Sequence, residues 1–196
     1  SLLNALSEGV SLDTGILPVI GDSYIAVKQY LVSKDKHIVL VESSPRQRKV
    51  AYNRTGEAKD DLEFQIPFPG LLMCVVLNSV EGGTFKLNKD CCRLYALKTP
   101  VYNDQTTVYR YPYTNVYADA RICWGNSLES LGDNPVTISQ VAGFLEVFLS
   151  AQNNEDLYTS SYAPYAGENA KEMFTKMNGI KDYPYETLKK YLTYIE

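Results

Sequence analysis

Apolar positions along this chain change period twice. In the first fifteen residues Leu2, Leu3, Leu6 and Val10 fall near helical spacing until Gly15 interrupts them, which predicts a short helix or a loose arm over 1–15. From Tyr24 to Tyr111 the spacing becomes strand-like. Ile25, Val27 and Leu31 alternate toward one face between Tyr24 and Val32, His37 to Val41 is rich in β-branched residues, and Lys49 to Tyr52 extends a third strand. The run Leu71 to Leu77 is apolar throughout, as in a strand covered on both faces. A turn at Glu81, Gly82 and Gly83 then leads to Thr84–Leu87 and Arg93–Leu97, which read as neighbouring antiparallel strands. Pro67 and Pro69 are expected to end regular pairing, and Pro100 closes the strand before it, because proline has no N–H to give to a ladder.

After residue 134 the period lengthens again. Thr137 stands as an N-cap with Gln140 three residues on, and Ile138, Val141, Leu145, Phe148 and Leu149 make one apolar stripe. A second helix is predicted from about Glu168 to Met177, with Met173, Phe174 and Met177 inward and Gly179 as a left-handed stop. A last one starts near Pro184 and groups Leu188, Tyr191, Leu192 and Ile195. Strands first and helices last predict an α+β fold, an antiparallel β-meander with C-terminal helices. The expected layout is one domain over 1–196: β-rich from 16 to 111, a loop at 112–126, and helical from 137 to 196.

Composition narrows the function. At 196 residues and 45% hydrophobic content the chain buries a core without metal or disulfide staples. Its net charge is −4 and its 19 basic residues are scattered, clustering only at Arg46–Lys49 and Lys189–Lys190, so no nucleic-acid partner is expected. No membrane partner is expected either, because the longest apolar run falls well short of the roughly 20 residues that span a bilayer. Nothing near the start reads as a signal peptide, and a soluble, cytoplasmic protein is the expectation. Cys74, Cys91, Cys92 and Cys123 form no regular framework, which favours reduced thiols. His37 is the single histidine and no Cys-x-x-Cys occurs, so neither metal nor other cofactor is expected. Any Cys-His or Ser-His pair would have to use His37, which sits at a strand start and reads as an ordinary surface residue. The 16 tyrosines are spread along the chain and fit half-buried strand positions.

The remaining chemistry lies in Tyr111-Pro-Tyr-Thr-Asn-Val-Tyr-Ala-Asp-Ala-Arg-Ile-Cys-Trp-Gly-Asn126. This stretch resembles the active-site segment of ubiquitin-conjugating enzymes, His-Pro-Asn-Val-Tyr-x-Asp-Gly-x-Ile-Cys-Leu. Asn115, Val116, Tyr117, Asp119, Ile122 and Cys123 match in place, with the same eight-residue step from asparagine to cysteine. Tyr113 and Thr114 replace the histidine and proline, and Ala120 replaces the glycine. The chain is more similar still to the bacterial branch called PRTRC system protein B, in family D of the prokaryotic ubiquitin-conjugating superfamily. The counterparts of that branch's motifs are Pro45–Lys49, Pro69–Leu71, Ala96–Lys98, Thr107–Tyr109, Pro112–Val116 and Ile122–Gly125, in the same order over about residues 40 to 150.

The resemblance implies a protein that accepts a ubiquitin-like modifier as a thioester on Cys123 and transfers it to an acceptor. Its implied partners are a ubiquitin-like protein and a ThiF-type activating-enzyme-like protein. Sulfur suits the task, because a cysteine is nucleophilic near neutral pH and its ester stays activated. Asn115 would donate its amide to the developing oxyanion or hold the loop. Arg121 would raise the thiolate fraction of Cys123, and Asp119 would orient or deprotonate an incoming amine. Cys74 reads as core, and of Cys91 and Cys92, which straddle a strand start, at most one faces solvent. Two other readings stand beside this one. The first is a non-catalytic variant of the same fold that binds the modifier or the activating enzyme. The second is a structural protein of a plasmid or phage.

Overall fold

β-branched and aromatic residues dominate the first half of the chain, and there the backbone pairs into antiparallel sheet. A computed structural model describes residues 10–16, 24–33, 36–57, 60–80, 82, 84–101, 103, 105–129, 135–165 and 167–191. Among them the strands are β1 (Val10–Asp13), β2 (Ile25–Ser33), β3 (Lys36–Ser43), β4 (Arg46–Tyr52), β5 (Leu62–Phe68), β6 (Gly70–Ser79), β7 (Phe85–Leu87), β8 (Arg93–Leu97) and β9 (Tyr109–Arg110). Seven form one sheet in the order β1-β2-β3-β6-β8-β9, with β7 also on β6, while β4 and β5 pair separately. The apolar run predicted as a doubly covered strand is β6, buried from Gly70 to Leu77. β3 pairs along one edge of β6; β7 and β8 lie in line along the other, each paired with β6.

Among the described residues two α-helices complete the α+β fold: α1 (Gly143–Leu149) and α2 (Ala170–Met177). Their apolar stripes join one face of the large sheet and the β4–β5 pair in the main core, where Phe174 stacks on Phe64 at 5.8 Å between ring centroids. The opposite face of the sheet carries a second cluster of Leu31, Ile38, Leu40, Leu72, Cys74 and their neighbours. No helix among the described residues is long and apolar enough to cross a membrane.

Several local expectations change. Residues 10–13 are an edge strand on β2, where helix or arm was expected; Leu2, Leu3 and Leu6 lie outside the described residues. Ile25, Val27 and Leu31 do not share a face. A bulge at Lys28 inserts one extra residue between the pairs Val27–Val41 and Gln29–Leu40, so Ile25 and Val27 join the main core and Leu31 the opposite cluster. Pro67 does not end pairing; it sits inside β5 opposite Gln47. On this strand Gln65 turns its backbone groups away from β4, accepting Gly179 N–H at 2.9 Å and donating to Asn178 Oδ1 at 2.8 Å. Pro67 has the same parity, so its missing N–H falls on the outer edge and no ladder bond is lost.

The helical half is narrower than 137–196. Thr137 N–H donates to Gln140 Oε1 at 2.8 Å, one half of the predicted capping box, but Ile138–Gln140 form only a 3₁₀ turn, and α1 begins at Gly143. α2 starts at the Asn169 cap, whose Oδ1 accepts Glu172 N–H at 2.9 Å, and Gly179 adopts φ +79° beyond its end. The helix expected from Pro184 is a single 3₁₀ turn at Tyr185–Thr187. Leu188 is extended, and Lys190 bridges Tyr109, so this segment packs as added strand; Leu192 and Ile195 lie outside the described residues.

Candidate active site

Residues 115–123 form a tight hairpin, and its turn follows from local chemistry. Cys123 N–H donates to Asn115 O at 2.9 Å, Val116 bridges Ile122, and Tyr117 N–H donates to Arg121 O at 2.9 Å. Ala120 N–H closes the turn onto Tyr117 O at 2.9 Å with Ala120 itself at φ +65°. A left-handed residue at the end of a three-residue hairpin loop is a position that favours glycine. Alanine holds it here, buried in the second cluster. Asn115 has φ +67°, a conformation asparagine tolerates. Asp119 fastens the turn: its Oδ1 accepts Arg121 N–H at 3.1 Å and its Oδ2 accepts Arg121 Nε–H at 2.7 Å.

The hairpin is docked on both sides. Leu94 N–H donates to Ala120 O at 3.0 Å and Ile122 N–H to Cys92 O at 3.4 Å, so the strand bearing Cys123 lies along β8. On the other side the two residues that replace histidine and proline act as fasteners. Tyr113 is buried between Phe68 and Phe174, donates its hydroxyl to Pro67 O, and burial raises its phenol well above the usual value. Thr114 Oγ1 donates to Asn153 Oδ1 at 2.7 Å, and Asn153 is locked to β4 by backbone bonds with Ala51 and Asn53 at 2.8 and 2.9 Å. Asn115 Nδ2 donates to Gln152 O at 3.1 Å. That engages one of its two amide hydrogens.

Cys123 is half-buried, opposite Asn115. The exposed Tyr117 phenol hydrogen-bonds the Cys123 thiol, which raises Tyr117 above its ordinary value. The Arg121 guanidinium lies 4.9 Å from the centre of the Tyr117 ring. Burial pushes the Asp119 carboxyl up, but the Arg121 backbone and guanidinium bonds outweigh it and hold Asp119 below the usual carboxylate value. The predicted quartet of Cys123, Asn115, Asp119 and Arg121 therefore sits in one hairpin, with Asp119 and Arg121 engaged mainly with each other.

The other thiols separate clearly. Cys74 and Cys92 are fully buried, which pushes both up to about 12. Cys91 is half-buried. His37 lies on β3, bonded to Tyr30 Oη and, at 2.9 Å, to Ser79 Oγ, and burial lowers its pKa. None of these partners belongs to the Cys123 hairpin.

Gln152 and Asn153 escaped the sequence reading. They act on the site from 37 and 39 residues away, a distance at which no spacing rule applies. So did a cleft beside the hairpin, lined by residues that include Arg110, Val116, Tyr117, Ala118, Leu157 and Tyr162. Arg110 donates to Ala118 O at 2.5 Å and lies 4.5 Å over the Tyr162 ring. A family model described as Prokaryotic E2 family D matches residues 20–191. No curated protein and no solved structure matches the chain.

Proposed function

This chain belongs to prokaryotic E2 family D, and from that premise we propose that it accepts a ubiquitin-like modifier as a thioester on Cys123 and hands it to an acceptor. The observation that carries the proposal is the half-exposed Cys123 thiol held opposite Asn115 in a doubly docked hairpin. The thiolate attacks the acyl carbon of the modifier's C-terminus on the activating partner, whose own sulfur leaves. Asn115 keeps one amide hydrogen for the oxyanion while the other ties the loop to Gln152, so it serves both holding and donation. Arg121 and Asp119 shape the turn as a pair; Arg121 sets positive charge beside the Tyr117–Cys123 bond, and Asp119, held ionised, orients an incoming amine by charge.

Within the family we place the chain in the PRTRC system protein B branch, with a ThiF-type activating protein and a ubiquitin-like protein as partners. Supporting this, two of the ordered motifs take up defined positions in the fold. Arg46 and Arg48 of the arginine-rich motif grip Glu146 on α1, and Ala96 lies on β8, along which the hairpin docks.

Mixing the protein with its charged activating partner, the modifier and ATP is expected to give a dithiothreitol-sensitive adduct on a non-reducing gel, absent in Cys123→Ala. No adduct from an activating partner shown to be charged would turn the reading to a binding-only member of the family.

A further inference from the structure

Two cysteines far apart in the chain come into register at the edge of β8. Arg93 and Arg121 form an antiparallel bridge, flanked on one side by Leu94 N–H to Ala120 O and on the other by Ile122 N–H to Cys92 O. Bonds flanking a pair in this way mark the closely spaced class of antiparallel pair, with Cα atoms about 4.5 Å apart. Carried two residues back along one strand and two residues on along the other, that register extrapolates to Cys91 opposite Cys123, one step past the last bond of the ladder, where Cys92 N–H turns instead to Lys89 O at 3.3 Å. Cys92 is extended, at φ −69° and ψ 140°, so the line of β8 carries through it to Cys91, where the 3₁₀ turn Lys89–Cys91 ends.

The faces agree as well. Cys92, Leu94 and Ile122 all belong to the main core, whereas Cys91 packs with the cluster on the opposite face of the sheet. Successive strand residues alternate, so Cys123, next to Ile122, turns to the side that Cys91 occupies. Both thiols are half-buried, while Cys74 and Cys92 are sealed in the core. A disulfide requires Cα atoms about 4.4–6.8 Å apart and side chains on a common face, and a pair that continues this register would meet both requirements.

We propose that Cys91 and Cys123 form a reversible disulfide, an oxidative modification site that takes the candidate nucleophile out of use. Hydrogen peroxide serves as the two-electron oxidant. The Cys123 thiolate attacks one peroxide oxygen, breaks the O–O bond and becomes a sulfenic acid, and the departing hydroxide takes up the proton that the Cys123 thiol gave up and leaves as water. The Cys91 thiolate then attacks that sulfur, forms the S–S bond and expels hydroxide, which takes up the Cys91 proton to leave as the second water. A dithiol reductant reverses the change. Loss of acyl acceptance rests on the reading of Cys123 given above; the bond between the sulfurs does not.

The test treats the reduced full chain with hydrogen peroxide, blocks remaining thiols with an alkylating agent, and maps tryptic peptides without reduction. The expected product joins the peptide of residues 90–93 to the peptide that begins at Ile122, with fragment ions placing the bond on Cys91. It disappears after dithiothreitol and is not formed in Cys91→Ser. Three results would overturn the proposal: the linked peptide persisting in Cys91→Ser, fragment ions placing the bond on Cys92, or Cys123 oxidised or alkylated without any linked peptide. A failed thioester assay on reduced protein leaves this peptide result untouched, so the two proposals fail separately.

Discussion

Ala120 is a residue in a conformation that opposes it. Its left-handed backbone costs an L-residue about 1–2 kcal/mol, while its buried methyl contributes about 0.8 kcal/mol, and glycine would add unfolded-state entropy of about 0.5–1 kcal/mol. These terms nearly cancel, so Ala120→Gly is expected to leave the urea midpoint almost unchanged. Ala120→Val adds β-branching to the same strain in a buried site and is expected to lose more than about 2 kcal/mol. Equal midpoints for the two variants would contradict the strained turn. Tyr113→Phe deletes the hydroxyl that satisfies Pro67 O and is expected to cost about 1–2 kcal/mol by the same measurement. That Cys123, Asn115, Asp119 and Arg121 lie close together was readable from the sequence, because one short hairpin holds them. Thr114 could not be read as a fastener, nor Gln152 as the partner that Asn115 holds, because Asn153 and Gln152 are brought in by α1 and β4.

Helix α1 is latched to β4 by charge. The Arg48 hydrogen bond, with Arg46 beside it, lowers the Glu146 carboxyl in the folded chain. A carboxyl lowered by folding gives its full stabilisation above its unfolded value of about 4.3, and that stabilisation is lost as pH falls through the lower folded value. Glu155 behaves alike: burial raises it, but bonds from the Tyr52 hydroxyl and the Ala170 and Lys171 N–H groups at the start of α2 outweigh that. The contributions of Glu146 and Glu155 are therefore expected to be constant from pH 7 to about 5 and to fall below that, on top of a decline that begins below about 6.5 as His37, lowered by burial, takes up its proton. Glu146→Gln is expected to lose about 1 kcal/mol at pH 7 and to show a shallower acid decline in urea titrations at pH 7 and 3.5. An unchanged decline would remove the latch from the explanation. α2 was readable because its cap and stripe are local. The Lys28 bulge was not, because one extra residue exchanges faces without disturbing the apolar count, and the segment after Pro184 was not, because its tyrosines find partners in extended backbone: Tyr183 against Tyr113 and Tyr191 against Tyr95.

Across the molecule, β6 fixes the arrangement: β3 runs along one edge, β8 along the other, and β8 in turn receives the hairpin that carries Cys123. The α+β class followed from the order of strands before helices, and the double covering of β6 from its unbroken apolar run. The pairing of β4 with β5 and the cleft at Arg110 did not, since both depend on which distant strands meet. That placement makes position 123 the point where modifier chemistry is tested most directly. In Cys123→Ser, the charged activating partner is expected to leave the modifier on the introduced hydroxyl as an oxygen ester that survives dithiothreitol, whereas the wild-type adduct is lost. Peptide mass mapping that finds the modifier on Cys91, on a lysine, or nowhere, with an equally charged activating partner, would contradict the assignment of Cys123 as the acceptor.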